Sequence, residues 1–362
     1  MIYIVLGIVI GFFLNLVPLW QPGSGWAIYP EWHGKIESIK SIEISKSKNL
    51  SNIKLPPVKD RSNYFILSGS GEVLYNNENN EYLVSISGNG EYLVKYEKTG
   101  KSIELLSISG ERFWKIESRE YPYLSYNGKI ILLMNGDHTS IRILDYNGNA
   151  IGAKMIVGRF CTQITFSMYS DFACIGFLDG SYYLINSIGE IVSHGVMPHG
   201  SLIKGMAVNT KGDTLAIHYG NNISDSVSLI RLTDNSENRI ALKNIHLTKT
   251  AMHVSEAGQL AIIDYDRIIL KSITDSIEKN IKIAPQKAGV STLNYFSGLY
   301  VVSYAKVDGE AQFIIFQNNG TILYKKVFAE EPFLESFIDK SVIFLRGSQG
   351  LFCYSFDFLS NK

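Results

Sequence analysis

The chain has 362 residues, with 34 basic and 34 acidic side chains, so no net field draws it to a polyanion and a nucleic-acid partner is not expected. Hydrophobic residues make up 46%, enough for a large core, and 21 Tyr and 18 Phe against nine Pro favour strands. Cys161, Cys174 and Cys353 show no CxxC or metal-ligand spacing and read as small buried thiols, so neither a metal nor a cofactor is expected.

In chain order, the first element is apolar. No charged side chain occurs before Glu31, and Ile2 to Trp20 contains only Asn15 as a clearly polar residue. At about 1.5 Å per residue this is roughly 28 Å of helix, close to the thickness of a hydrocarbon core. Three readings compete: a retained single-pass anchor over 1–22, a cleaved signal peptide, and a buried helix. The signal peptide lacks a basic n-region, and the buried helix lacks a polar stripe, so the anchor is favoured. No cysteine follows the segment, which excludes a lipoprotein anchor. Trp20, Trp26, Tyr29 and Trp32 cluster behind it as expected membrane-interface residues.

Lys35 and Lys40 follow the segment and argue weakly for a cytoplasmic domain. Large domains cross largely regardless of charge, and the reading adopted is an extracytoplasmic domain, with the cytoplasmic side as its alternative. Residues 23–62 form a juxtamembrane segment and linker. Its Lys- and Ser-rich part, Glu37 to Ser62, ends near Pro56-Pro57 and is expected to be a solvated spacer, with contact of its lysines to anionic headgroups as the alternative.

From residue 63 to 362 the chain repeats. A run of strand formers, a polar turn and a second strand recur in FILSGSGEVLY (65–75), IELLSISGERFW (103–114), IRILDYNGNAIG (141–152), YYLINSIGEIVS (182–193) and FIIFQNNGTILY (313–324), with weaker copies at 228–240 and 268–279. The turn residues Gly71, Gly110, Gly148, Gly189, Asn235, Asp275 and Gly320 stand 39, 38, 41, 46, 40 and 45 apart. Gly, Asn and Asp suit turns that need positive φ. Upstream of most hairpins lies another strand pair, as in Tyr82–Ser87 with Tyr92–Lys95. Four short strands per period of about 42 predict an all-β, roughly seven-bladed β-propeller preceded by one transmembrane helix.

The expected units are 81–118, 121–157, 162–197, 201–247, 249–283, 290–328 and 333–360. The last is one strand short, and residues 64–76 are expected to supply it. Those residues look like a whole hairpin, so eight blades are the alternative.

The segment MPHGSLIKGMAVNTKGDTLAIHYG (197–220) resembles the opening of a WD40 blade, although His199 precedes Gly200 where that family places Gly before His, and no blade ends in Trp-Asp. Over about residues 64–360 the chain resembles the broad WD40-like and pyrroloquinoline-quinone-dehydrogenase-like propeller group. That resemblance implies an interaction platform in a cell-envelope complex, without a subfamily.

No catalytic constellation is found. G-x-S-x-G and S-x-x-K at a strand–helix junction are absent, and His194 and His199 lie five apart in a loop with no cysteine or carboxylate beside them. One feature recurs by unit: the turns between second and third strands carry Asp137, Asp179, Asp225, Asp264 with Asp266, and Asp308. With His138, Arg159 and His199 they form a candidate binding rim for a cation or a basic partner. Ordinary hairpin chemistry accounts for Asp179-Gly180 and Asp308-Gly309 equally well, and Arg119, Arg159, Lys249 and Lys287 in the unit-to-unit loops could pair with such carboxylates. The function expected is a non-enzymatic scaffold binding a protein partner at a membrane. The alternative is a sensor or enzyme with a small-molecule, glycan or cofactor site at the central channel.

Overall fold

The computed structural model describes residues 26–35, 52–56, 58–60, 63–77, 82–97, 99–275, 277–348 and 350–358. The expected anchor at 1–22, Trp20 within it, and most of the linker lie outside these residues. Among the described residues no helix is long and apolar enough to cross a membrane. Thirty-one strands are described. In chain order they are β1 (Trp26–Gly34); β2 (Val58–Asp60), β3 (Asn63–Leu67), β4 (Val73–Asn77); β5 (Tyr82–Ile86), β6 (Tyr92–Glu97), β7 (Ser102–Ser107), β8 (Arg112–Glu117); β9 (Tyr121–Leu124), β10 (Ile131–Met134), β11 (Ser140–Leu144), β12 (Ala150–Val157); β13 (Cys161–Phe166), β14 (Ala173–Phe177), β15 (Ser181–Ile185), β16 (Ile191–Val196); β17 (Leu202–Val208), β18 (Thr214–Gly220), β19 (Asp225–Arg231), β20 (Ser236–Ala241); β21 (Met252–Val254), β22 (Gln259–Asp264), β23 (Arg267–Ser272), β24 (Glu278–Lys282); β25 (Gln286–Phe296), β26 (Leu299–Lys306), β27 (Ala311–Gln317), β28 (Ile322–Phe328); β29 (Leu334–Asp339), β30 (Val342–Gly347) and β31 (Leu351–Phe358).

They form seven four-stranded sheets and one three-stranded sheet, β2-β3-β4, among the described residues. Two compact units hold them. One contains Met1–Leu55, Ile66–Leu74 and Val290–Lys362; the other contains Pro56–Phe65 and Tyr75–Gly289.

The larger unit carries five successive antiparallel meanders, from β5–β8 to β21–β24. Its core lies between the faces of neighbouring sheets. Val94, Leu105, Leu124, Ile131 and Leu133 pack in one layer. Leu132, between the last two, belongs to the next layer, where it meets Ile143, Ile175 and Phe177. Cys174, Leu184, Ile203 and Ile217 fill a third layer, and Leu229, Leu260 and Ile269 a fourth. Strands covered on both faces read as continuous apolar runs, as in β10 (ILLM) and β14 (ACIGF), whose residues are all buried. Outer strands differ: β8 and β16 alternate exposed and half-buried residues over most of their length.

Turn chemistry repeats with the sheets. In the turns between first and second strands, Ser87, Ser125, Ser167, Asn209 and Ser255 each accept a hydrogen bond from the backbone amide four or five residues on, at 3.0–3.1 Å. In the turns between third and fourth strands, Ser107, Asp145 and Asn186 do the same. Positive φ occurs at Gly71, Gly110, Gly148, Gly189, Asn235 and Gly320, as expected for the hairpin turns. Asp275 is the exception: it is not among the positive-φ residues, and its carboxylate instead accepts the Ile277 amide at 2.9 Å.

In the smaller unit, β25–β28 form one meander, and a second sheet has the order β1-β31-β30-β29. The strand missing from the last sheet is therefore β1, not residues 64–76, which lie in the β2-β3-β4 sheet. Trp26 pairs with Phe358 and Gly34 with Leu351, with a register shift between Pro30 and Trp32. Pro30 is tolerated because β1 is an edge strand with no further ladder to donate to. Ile28 packs with Phe313, Ile343 and Phe356.

Of the expected membrane-interface residues, Trp26, Tyr29 and Trp32 lie in β1, and Trp32 is buried. The Trp32 indole N–H donates to the Gly69 carbonyl at 2.8 Å and its ring lies 6.1 Å from that of Phe344. The end of the expected spacer is not solvated either, because Ile53, Leu55 and Val58 are buried. The three thiols are free and buried, and burial pushes Cys161 up to about 11.

Candidate interaction face

In a four-strand antiparallel meander, the turn between the second and third strands lies at the same end as the entry to the first strand and the exit from the fourth. Main-chain bonds join these ends in the larger unit. Cys161 donates its amide to His138 at 2.8 Å, Leu178 to Phe160 at 2.9 Å, Met197 to Gly180 at 2.9 Å and Gln286 to Tyr265 at 3.1 Å.

Over five successive sheets, Asp137, Asp179, Asp266 and Asp308 lie in this turn, while Asp225 opens β19 and Asp264 closes β22 beside it, and the aspartates divide into two chemistries. Asp137 accepts the Thr139 amide at 3.1 Å and its hydroxyl at 2.6 Å, and these bonds hold its carboxyl below the usual range. Asp179 caps Ser181 in the same way and lies 3.7 Å from Arg159. In the smaller unit, Asp308 pairs with Lys306 at 2.8 Å. These three are turn caps. His138 adopts φ 62° and stacks on Phe160, with ring centroids 5.7 Å apart.

Asp225 and Asp264 are buried instead. One Asp225 oxygen accepts Lys204 Nζ at 2.6 Å; the other accepts His218 Nε2 at 3.1 Å and the His246 amide at 2.7 Å. Asp264 accepts His246 Nε2 at 3.1 Å, the Lys243 amide at 3.0 Å, Asn244 Nδ2 at 3.2 Å and Arg267 Nε at 3.0 Å. Burial alone would raise both carboxyls, but the bonds outweigh it and both are held low. Burial pushes the His218 imidazole down despite the neighbouring Asp225. Sequence reasoning found the two aspartates and missed Lys204, His218 and His246. The available signal was His218 itself, a polar residue inside the otherwise apolar strand TLAIHYG.

Between the ends of two of these sheets lies a cleft of about 500 Å³, lined by Leu178, Asp179, His199, Leu202, Asn221 and Asn222 among others. Asp179 and His199, both expected as site residues, thus share one surface. Leu178 in its lining is exposed (53%), and at the same end of successive sheets stand the exposed apolar side chains of Val157 (60%), Phe160 (48%), Val196 (66%), Ile223 (84%) and Leu247 (86%). Among the described residues no group of three or more His, Cys, Asp or Glu could hold a metal ion.

No curated protein matches this sequence. Of the solved structures, BamB from Moraxella catarrhalis aligns with a TM-score of 0.58 and 12% identity, covering 92% of this chain and 99% of that one. A chain of the mitotic checkpoint complex aligns at 0.52 with 12% identity, covering 75% and 89%. At such identities the likeness is one of fold, and it agrees with the succession of four-stranded meanders. A family model described as a β-propeller protein matches residues 1–335, more than half of the sequence, and the chain therefore belongs to that β-propeller family.

Proposed function

We propose that this β-propeller is a membrane-tethered platform that docks a protein partner on the end of the larger unit where the second-to-third-strand turns lie. The observation that carries the reading is the set of exposed apolar side chains from Val157 to Leu247, spread over successive sheets at one end. Isolated exposed apolar residues need no explanation, whereas a group flanked by ion pairs such as Arg159–Asp179 has the composition of a protein-binding surface. Rigid sheets that hold varied loops suit such a role. The extracytoplasmic side remains the reading adopted for the propeller, on the general behaviour of N-terminal anchors.

A photo-crosslinking residue placed at 178, 223 or 247 in the native membrane protein is expected to capture a discrete protein. The same residue at 146 or 188, in turns at the opposite end of the sheets, is expected to capture none. Equal capture from both ends sinks the reading. The cleft beside Asn221 and Asn222 supports a second reading, a sensor for a small polar ligand. That reading expects an alanine substitution at either asparagine to abolish response while leaving protein capture unchanged.

A further inference from the structure

The loop between β20 and β21 alternates in direction. Ile245 and Leu247 are exposed, Leu247 almost completely, while His246 between them turns inward. What holds His246 inward is a chain of ionic contacts linking two sheets. Its amide is bound by Asp225 and its ring by Asp264. Leu242 N–H adds a bond to the Asp225 carbonyl at 3.0 Å. On the other side, Lys204 reaches the Asn221 carbonyl at 3.4 Å, in the turn that lines the cleft.

His218 is the weak point of this chain. Its Nε2–H faces Asp225, which leaves the Nδ1 lone pair pointing into the interior, and that atom has no hydrogen-bond partner. The charged or titratable groups facing the ring are Asp225 of β19, Lys204 of β17 and His246 of the loop, whose ring lies 5.5 Å away. Farther along, Asp264 is flanked by Arg267, and Arg267 by Glu278 at 3.8 Å; Lys243 approaches Asp266 at 3.9 Å. Protonating Nδ1 would place a second cation beside Lys204 and a buried N–H with no acceptor. An opened loop would let water solvate both.

We propose that Lys204, His218, Asp225, His246 and Asp264 form an acid-released clasp that displays Ile245 and Leu247 near neutral pH and lets go of their loop on acidification. As a control on docking the inference rests on the proposed interaction face; as a conformational device it is testable without any partner. If the closed clasp excludes the proton and the open form titrates at the ordinary histidine value of 6.5, opening becomes about tenfold more frequent from pH 7.5 to pH 5.5.

The experiment is amide hydrogen exchange on the full chain, corrected for intrinsic rates, at those two pH values. The His246 and Leu242 amides should lose about tenfold in protection, whereas amides of Ala173–Phe177, which exchange only on global unfolding, should stay better protected than both at either pH. His218→Gln, which retains a donor toward Asp225 and cannot titrate, should remove the pH effect. Should that variant fail to fold, the imidazole nitrogen shifts of His218 in the unaltered chain decide: the ring must stay neutral while the loop is closed. Unchanged protection at His246, or a His218 ring that titrates at or above 6.5 with the loop closed, overturns the clasp. Neither result bears on crosslinking at 178 or 223, so failure of the clasp and failure of the docking face are distinguishable.

Discussion

At the scale of single residues, buried polar side chains add to the apolar layers that join neighbouring sheets. Asp171 lies in the turn between β13 and β14 and is buried. It accepts the Ser125 hydroxyl at 2.6 Å and the Asn127 amide and side chain at 2.9 Å, all from the preceding sheet. Removing it strands buried donors, which costs more than the net value of the bonds. Asp171→Ala is expected to destabilise the protein by about 2–3 kcal/mol, read as a lower urea midpoint with an unchanged slope. Asp137→Ala, which loses only an exposed cap, should shift the midpoint far less. Both lie in turns between strands, although only Asp137 is marked by the recurrent pattern. Nothing local separates them, because burial of Asp171 depends on a sheet more than forty residues upstream.

At the scale of elements, β1 is the least expected strand. Its sequence, WAIYPEWHG, is rich in aromatic residues and follows an apolar segment, which is why composition assigns it to a bilayer interface. The same aromatic content serves a strand equally well, and in the fold β1 pairs with β31. A deletion of residues 2–22 tests the anchor and should move the protein from the membrane fraction to the soluble one. A deletion of 26–34 should instead expose the β31 edge and the apolar face of β31 and β30. Its expected readout is loss of cooperative unfolding and aggregation, whether or not the anchor is present. Retention of a sharp melting transition in the second deletion would count against β1 as a structural strand.

At the scale of the whole molecule, two buried histidines, His218 and His253, set the response to acid. Burial pushes His253 down to about 3 and also lowers His218. Each is neutral when folded and titrates near 6.5 when unfolded, so its contribution to stability is present above 6.5 and is lost as pH falls below that value. Asp225 and Asp264, held low in the fold, hold their contribution down to the ordinary carboxylate range near 3.8 and lose it below. Stability should therefore fall by about 2–3 kcal/mol between pH 7.5 and 5.5, and faster below about pH 4. Denaturant titrations across that range check both the sign and the two windows. A flat profile from pH 7.5 to 5.5 would show that the histidines are not neutral in the fold.

The sequence by itself determined the strand period, the four-strand unit, most unit limits and the turn chemistry. Each follows from local rules: alternation along a strand, continuous apolar runs where both faces are covered, and side chains that cap their own turns. It also singled out Asp225 and Asp264, which lie in strands beside equivalent turns. Only the tertiary structure decided that these two are buried ion partners while Asp137, Asp179 and Asp308 are caps, since burial depends on what the neighbouring loop lays over them. Which strand completes the last sheet was likewise decided by pairing between residues more than three hundred apart. Contacts of that range leave no periodic trace in either strand, because each is compatible with several partners until the chain is folded.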